Sequence, residues 1–250
     1  MTDVKMDILL KENERLDDLC CNGYRLIQNT ACFCFGMDAV LLSSWATAKK
    51  GDKVLDLCTG NGVIPILMHG KNEGITCTGL EIQETSYELA ARNVAINELN
   101  GDINMVKGDV KEAMQLLGGS VYNVVTCNPP YMNENHGIVN PESAKAIARH
   151  EILCTLDDVV KAAAMCLKVK GHFFMVHRPQ RLVDIFEAMR KYKLEPKRMQ
   201  MVHPYTDAEA NMVLIEAVKG GNSQLTVEQP LVVYNKDGSY TKELLKMYGM

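Results

Sequence analysis

The chain has 250 residues, 47% hydrophobic and 23% charged, with a formal net charge of −4. That length suits one sizeable α/β domain. The absence of an apolar run of about 20 residues excludes a bilayer-spanning helix, and the mild acidity excludes a protein that coats nucleic acid by bulk attraction. Nine scattered cysteines, an odd number in a chain too large to need disulfide staples, read as reduced thiols, and the spacing of Cys20, Cys21, Cys32 and Cys34 does not match usual zinc sites.

The opening "MTDVKMDILLKENERLDDL" has acidic residues and helical spacing where a secretory signal would carry a basic end and an apolar block, which predicts a cytoplasmic protein. "DAVLLSSWA" reads as a capped helix whose Leu41, Leu42 and Trp45 fill the core. From Lys53 the pattern becomes strand, glycine loop and helix: "KVLDLC", "TGNGV", "IPILMHGK". A second strand "GITCTGLEI" precedes a helix with Leu89, Val94, Ile96 and Leu99 on its packed side. There follow "INMVKGD", a short helix "VKEAMQLL", the strand "YNVVTC", a long polar loop and the helix "LDDVVKAAAMCL". "GHFFMVH", the helix "RLVDIFEAMRKY" and two late strands, "RMQMVH" and "ANMVLIEAV", complete the series. Strands separated by crossover helices predict a doubly wound, mainly parallel α/β sheet. The end, "PLVVYNKDGSYTKELLKMYG", reads as a strand, an Asp-Gly turn and a short helix packed on the same domain. The expected division is an N-terminal segment at 1–50, the main domain at 51–220 and a C-terminal extension at 221–250.

The chemistry gathers at strand ends. Gly60-Asn61-Gly62 turns between a strand and a helix, where a bare backbone can come close to a ligand. Asp56 ends the strand before that turn. Glu81 ends the next strand, placed to accept hydrogen bonds from ribose hydroxyls, and Asp109 follows the third. With Thr59, Ile82 and Val110 adjoining, these residues converge on one rim of an open sheet. Pro65 holds the place of the third glycine of a dinucleotide fingerprint, and no Lys-Ser/Thr pair follows to hold phosphates. S-adenosylmethionine, an adenosine without phosphate, suits this loop and its acids.

"NPPY", Asn128 to Tyr131, ends the fourth strand. Pro129 and Pro130 stiffen the exit. The Asn128 amide oxygen and the Pro129 carbonyl could each accept an N–H from a planar exocyclic amine, and the Tyr131 ring could stack on the base. Two such acceptors would aim the lone pair of a delocalised amine at an electrophilic methyl group.

The series "DLCTGNG", "LEI", "GD" and "NPPY" resembles the class I S-adenosylmethionine-dependent methyltransferases that act on planar nitrogens. The resemblance implies a seven-stranded Rossmann-like sheet. It also implies that Asp56, Gly60 and Gly62 line the methionine end, that Glu81 holds the ribose, that Asp109 lies near the adenine amine, and that Asn128 to Tyr131 form the catalytic loop. Outside the core, "LIQNTACFCFGMDAVLLSSWA", "ARHEI" and "YNKDGSYTKELLKMYG" are similar to the compact bacterial tRNA1(Val) adenine N6-methyltransferases. That similarity implies transfer to adenine N6 beside a tRNA anticodon and an N-terminal helix over the cofactor, with Asp38 as a neighbour. Release-factor glutamine N5-methyltransferases and rRNA guanine N2-methyltransferases share the core and stay open as alternatives. The former carry a longer N-terminal helical domain than the roughly 50 residues found here before the glycine loop, and the latter often carry added domains.

A tRNA partner is expected, with neither DNA nor membrane. Between Val160 and His203 ten Lys or Arg stand against three acids, either a solvated face or a phosphate-binding surface, and Lys191 and Arg198 are candidate RNA contacts there. Arg149 is a candidate substrate contact or a structural ion pair. His136, His172, His177 and His203 show no metal spacing, and no catalytic metal is expected.

Overall fold

The computed structural model describes residues 9–31, 34–129 and 154–250. The chain begins with an antiparallel hairpin, β1 (Glu14–Asp18) and β2 (Arg25–Asn29), that stands apart from the main sheet. Helix α1 (Met37–Trp45) leads to β3 (Lys53–Leu57), α2 (Val63–Lys71), β4 (Thr76–Glu81), α3 (Glu84–Ile96) and β5 (Ile103–Lys107). A 3-10 turn (Val110–Glu112), α4 (Ala113–Leu117) and β6 (Tyr122–Cys127) follow. Then come α5 (Leu156–Cys166), β7 (Leu167–His177), α6 (Leu182–Lys191), β8 (Leu194–His203) and β9 (Met212–Lys219). The chain closes with β10 (Thr226–Val227), β11 (Leu231–Val232) and α7 (Lys242–Met247).

The sheet order is β10-β8-β9-β7-β6-β3-β4-β5, with β11 also on β8. β5, β4, β3, β6 and β7 run parallel, while β9 is antiparallel to both neighbours. Seven long strands make the expected sheet. Thr226–Val227 and Leu231–Val232 extend it to nine by pairing parallel to the outer edge of β8, which caps an otherwise open edge.

Alternation along the strands feeds two cores. Phe174, Val176 and Leu214 join Leu41, Leu42, Trp45 and Ile66 on one face, where α1, α2 and the C-terminal Leu244 pack. Phe173, Met175 and Ile215 join Val159, Val160 and Ile185 on the other, covered by α5 and α6. Helix α5 opens on a capping box between Thr155 and Asp158, a device that typically contributes about 1 kcal/mol.

The helical spacing read in the first residues is corrected for Glu14–Asp18, which form a strand. The cause lies downstream. Asn22 and Gly23 take positive φ, 50° and 71°, and fold the chain back so that Leu16 pairs with Ile27. The strand partner outweighs a weak local helical preference. The packed face of α3 is also narrower than expected: Ala90, Asn93 and Val94 are its buried residues. Among the described residues, no helix is long and apolar enough to cross a membrane.

Candidate active site

The parallel register brings strand ends together at one rim: Asp56 of β3 stands beside Thr126 of β6, and Glu81 of β4 beside Lys107 of β5. Asp56 is 1% exposed. Its Oδ1 accepts the Thr126 hydroxyl at 2.7 Å, while Oδ2 is buried without a hydrogen bond. Burial pushes its carboxyl up to about 7, against the pull of the neighbouring Thr59 and Thr126 hydroxyls. The Thr59 Oγ1 is itself buried without closing a hydrogen bond.

The glycine turn is held from both sides. Thr59 N donates to Leu80 O at 3.0 Å, and Gly62 N donates to Thr59 O at 3.0 Å. Gly62 takes a left-handed φ of 81° that favours glycine, and a Cβ there would also crowd Ala90 Cβ at 3.2 Å where α2 starts. At Gly60 (φ 58°) a Cβ would meet nothing within 4 Å, which leaves open space above the loop. Cys58 shares the left-handed conformation, φ 57°, without a glycine's freedom, so strain is stored where the strand turns into the loop. Asn61 Oδ1 accepts Val63 N at 3.4 Å at the start of α2.

Glu81 is buried, and its two oxygens accept Gly60 N at 2.9 Å and Gln83 N at 2.8 Å. A carboxylate has about four lone-pair sites, so each oxygen retains acceptor capacity toward the loop. Beside it Ile82 stays 36% exposed, an apolar surface at a polar rim. Asp109 Oδ1 accepts Lys111 N at 2.9 Å and opens the 3-10 turn, in which Val110 is buried. Asn128 donates its amide N–H to Asp38 Oδ2 at 2.9 Å from the first turn of α1, and its Oδ1 is buried without a partner. Pro129 is buried. Pro130, Tyr131, His136, Arg149 and His150 lie outside the described residues.

Asp56 Oδ2, Thr59 Oγ1 and Asn128 Oδ1 are thus three buried oxygens at one rim that close no hydrogen bond, with the Thr59 hydroxyl still near enough to pull on the Asp56 carboxyl. An unpaired buried polar atom costs about 1–3 kcal/mol, which a ligand presenting hydrogen-bond donors there would recover. The open space at Gly60 and the spare capacity of Glu81 fit a nucleoside-bearing cation; the donor set is oxygen only. Among the described residues, no three His, Cys, Asp or Glu gather as a metal site. Burial pushes the His177 imidazole down to about 4 at the end of β7, where Nδ1 accepts Arg178 N at 2.8 Å.

Sequence reasoning missed Asn93. Its Nδ2 donates to Asn61 O and Ile27 O, both at 3.0 Å, and its Oδ1 accepts Ile27 N at 2.7 Å. One buried amide ties the hairpin to the glycine loop. The signal was a lone Asn on the apolar face of α3.

Arg198 is not the open cation that charge counting suggested. Its guanidinium lies 3.8 Å above the Trp45 ring and bonds Glu216 at 2.7 Å, Glu228 at 3.2 Å and Trp45 O at 3.1 Å. Lys191 pairs with Asp157 at 2.8 Å in an exposed groove. Arg181 and Arg190 also pair with acids, Asp184 and Glu195, whereas Lys168, Lys170, Arg178 and Lys197 bond uncharged oxygens, so the basic stretch is neutralised in part. Arg198→Glu is expected to lower Tm by about 10 °C, since removing one partner of a half-buried pair strands the other charges. Lys191→Glu should stay within about 2 °C, because its pair is solvent-screened. Scanning calorimetry decides; an unchanged Tm for Arg198→Glu with weakened RNA binding would assign Arg198 to an RNA surface instead.

The strand order, the antiparallel β9 and the glycine loop define the class: an α/β fold of the class I S-adenosylmethionine-dependent methyltransferases. A predicted O-methyltransferase of Agrobacterium tumefaciens superposes with a TM-score of 0.70 at 20% identity, covering 85% of this chain and 95% of that one. Geranyl diphosphate C-methyltransferase of Streptomyces coelicolor, solved with Mg2+, geranyl diphosphate and S-adenosyl-L-homocysteine, gives 0.53 at 13%, covering 72% and 77%. Residues 35–192 match the methyltransferase small domain, and the chain belongs to that family. Among curated relatives, the tRNA1(Val) (adenine(37)-N6)-methyltransferase of Photobacterium profundum is 23% identical over 84% of this chain and 87% of its own length. The protein of the same name from Parabacteroides distasonis is 26% identical over 77% and 82%.

Proposed function

We propose that this chain transfers a methyl group from S-adenosyl-L-methionine to the exocyclic N6 of adenine in RNA, with adenosine 37 of a tRNA as the target that its relatives' names indicate. The observation that carries the reading is the buried, unpartnered Oδ1 of Asn128 at the end of β6, beside the glycine loop. Asp56, Thr59, Gly60, Asn61 and Gly62 hold the methionine end of the cofactor, Glu81 the ribose, and Ile82, Asp109 and Val110 the adenine. When bound, the cofactor supplies an electrophilic methyl group on a sulfonium. Asn128 Oδ1 and the Pro129 carbonyl accept the two amine N–H groups, so the nitrogen lone pair is turned out of conjugation and aimed. Pro130 and Tyr131, which lie outside the described residues, complete the proposed catalytic motif, with the Tyr131 ring assigned to the base. The donated Asn128–Asp38 bond fixes the amide: a carboxylate only accepts, so nitrogen must face Asp38 and oxygen must face the amine.

The reading makes cofactor binding pH-dependent. Asp56 in the free protein sits at about 7 against an ordinary 3.8, so its ionised form fills as pH rises through 7. A cationic ligand favours that form. Affinity should rise about tenfold from pH 6 to pH 8, and Asp56→Asn should flatten the profile. The free protein shows the opposite sign: a carboxyl raised in the fold costs stability as pH climbs from about 4 to about 7. Calorimetric titration with S-adenosyl-L-methionine at both pH values measures this; an equal affinity at both would remove Asp56 from the cofactor's cationic end.

Methyl transfer from labelled cofactor to unmodified bulk tRNA, followed by nucleoside mass analysis, tests the function. N6-methyladenosine is the expected product. Transfer to a release factor with none to RNA would overturn the proposal.

A further inference from the structure

Four tyrosines form a continuous row along the same rim. Tyr205 follows β8, Tyr234 follows β11, Tyr240 pairs with Tyr234 across a short bridge, and Tyr248 follows α7. Successive ring centroids are 5.4, 5.4 and 6.3 Å apart, with planes inclined by 32°, 25° and 16°. Two of these contacts are stacked and one is tilted, and the spacings require a lateral offset, so the rings step along the rim with part of a face left uncovered. The inner end reaches the site: Tyr248 lies close enough to Asp38 to feel its charge, and Asp38 holds Asn128. Two rings stay open: Tyr205 at the outer end, 41% exposed, and Tyr240 beside Tyr248, 43% exposed. Exposed Lys236, Lys242 and Lys246 flank the row against two acids, Asp237 and Glu243. Burial, with the neighbouring tyrosines and Asp38, pushes the Tyr248 phenol up to about 12, so the inner ring is neutral at any working pH.

From this row we infer a stacking platform for unpaired RNA bases: Tyr205, Tyr234, Tyr240 and Tyr248 receive the nucleotides that flank the methylated one. The inference rests on the RNA reading above and extends it to how the strand is held. Every base has a π-face, so such a platform supplies affinity with little sequence preference, while the pocket at Asn128 selects the adenine. An RNA loop reaching the pocket leaves its neighbours unstacked beside these rings.

The test uses the full chain and an RNA hairpin with a seven-nucleotide loop containing adenosine. Fluorescence anisotropy should show Tyr205→Ala and Tyr240→Ala each raising Kd about tenfold, the scale of one lost base stack, with Tyr→Phe at either site within about threefold of wild type. Affinity for S-adenosylhomocysteine should not move. With unsubstituted protein, the same hairpin carrying 5-bromouridine in its loop should crosslink on irradiation to peptides containing Tyr205 or Tyr240, which reads the contact without any variant. Wild-type Kd in both alanine variants, or crosslinks confined to other peptides, overturns the platform. If wild-type protein methylates RNA adenine in the same preparation, that failure leaves the proposed function standing; if it methylates no RNA, the function itself falls before the tyrosines are judged.

Discussion

Asn128→Ala is expected to lower kcat for methyl transfer about a thousandfold while leaving cofactor affinity within about threefold, because the amide acts on the incoming amine. The magnitude follows from the geometry at the end of β6. Oδ1 is buried, unpartnered and fixed in direction by the N–H that Asn128 donates to Asp38 at 2.9 Å. It therefore needs no reorganisation when the amine arrives, and an acceptor in a dry site is worth more than one in water. Asp38→Ala should cost less, about tenfold to a hundredfold, since the acceptor remains but its amide can rotate. The pair of variants separates acceptance from positioning: single-turnover rates with saturating RNA should fall in the order wild type, Asp38→Ala, Asn128→Ala. Equal rates for wild type and Asn128→Ala would remove this amide from the chemistry and the reading with it.

The strand-helix alternation and the rim of Asp56, Gly60, Glu81, Asp109 and Asn128 were legible because each rests on local pattern: an apolar run, then a glycine, acid or Asn-Pro. What was not legible depends on pairing across the sheet. Arg198 looked like a free cation in a basic stretch, yet antiparallel register sets it opposite Glu216 of β9. Glu228 and the face of Trp45, 30 and 153 positions away, complete its cage. Counting charges along the chain cannot see partners supplied by other elements. The N-terminal hairpin was hidden differently. Leu16 and Leu19, three apart in a stretch rich in Glu, Lys and Leu, mimic a helix, whereas the decisive signal was the Asn22-Gly23 turn between Asp18 and Arg25. Tyr205 and Tyr234 are 29 positions apart in the chain, and only the parallel pairing of β11 with the end of β8 brings them together.

Asn93→Ala is expected to lower stability by about 3 kcal/mol and Tm by about 10 °C, a large effect for a substitution that removes so little apolar surface. The side chain is 0% exposed and satisfies Ile27 N, Ile27 O and Asn61 O at once. Alanine leaves those three backbone groups buried without the partner that the amide supplied. An internal control sits one helical turn away. Asn97 makes the same two-bond clamp on Arg25 of β2, N–H to Oδ1 at 2.8 Å and Nδ2 to carbonyl at 2.7 Å, but on the solvent side. Asn97→Ala should therefore cost less than about 1 kcal/mol, because water takes its place. Denaturant melts of the two variants isolate burial with the hydrogen-bond chemistry held constant. Cofactor binding should separate them as well: only Asn93 reaches Asn61, so only Asn93→Ala should loosen the glycine loop and raise the Kd for S-adenosylhomocysteine, by about tenfold or more if the loop's preorganisation supplies affinity. Equal stability losses would mean that burial is not what makes Asn93 costly. An unchanged Kd would mean that the loop keeps its shape through its other bonds, Gly60 N to Glu81 at 2.9 Å and Thr59 N to Leu80 O at 3.0 Å.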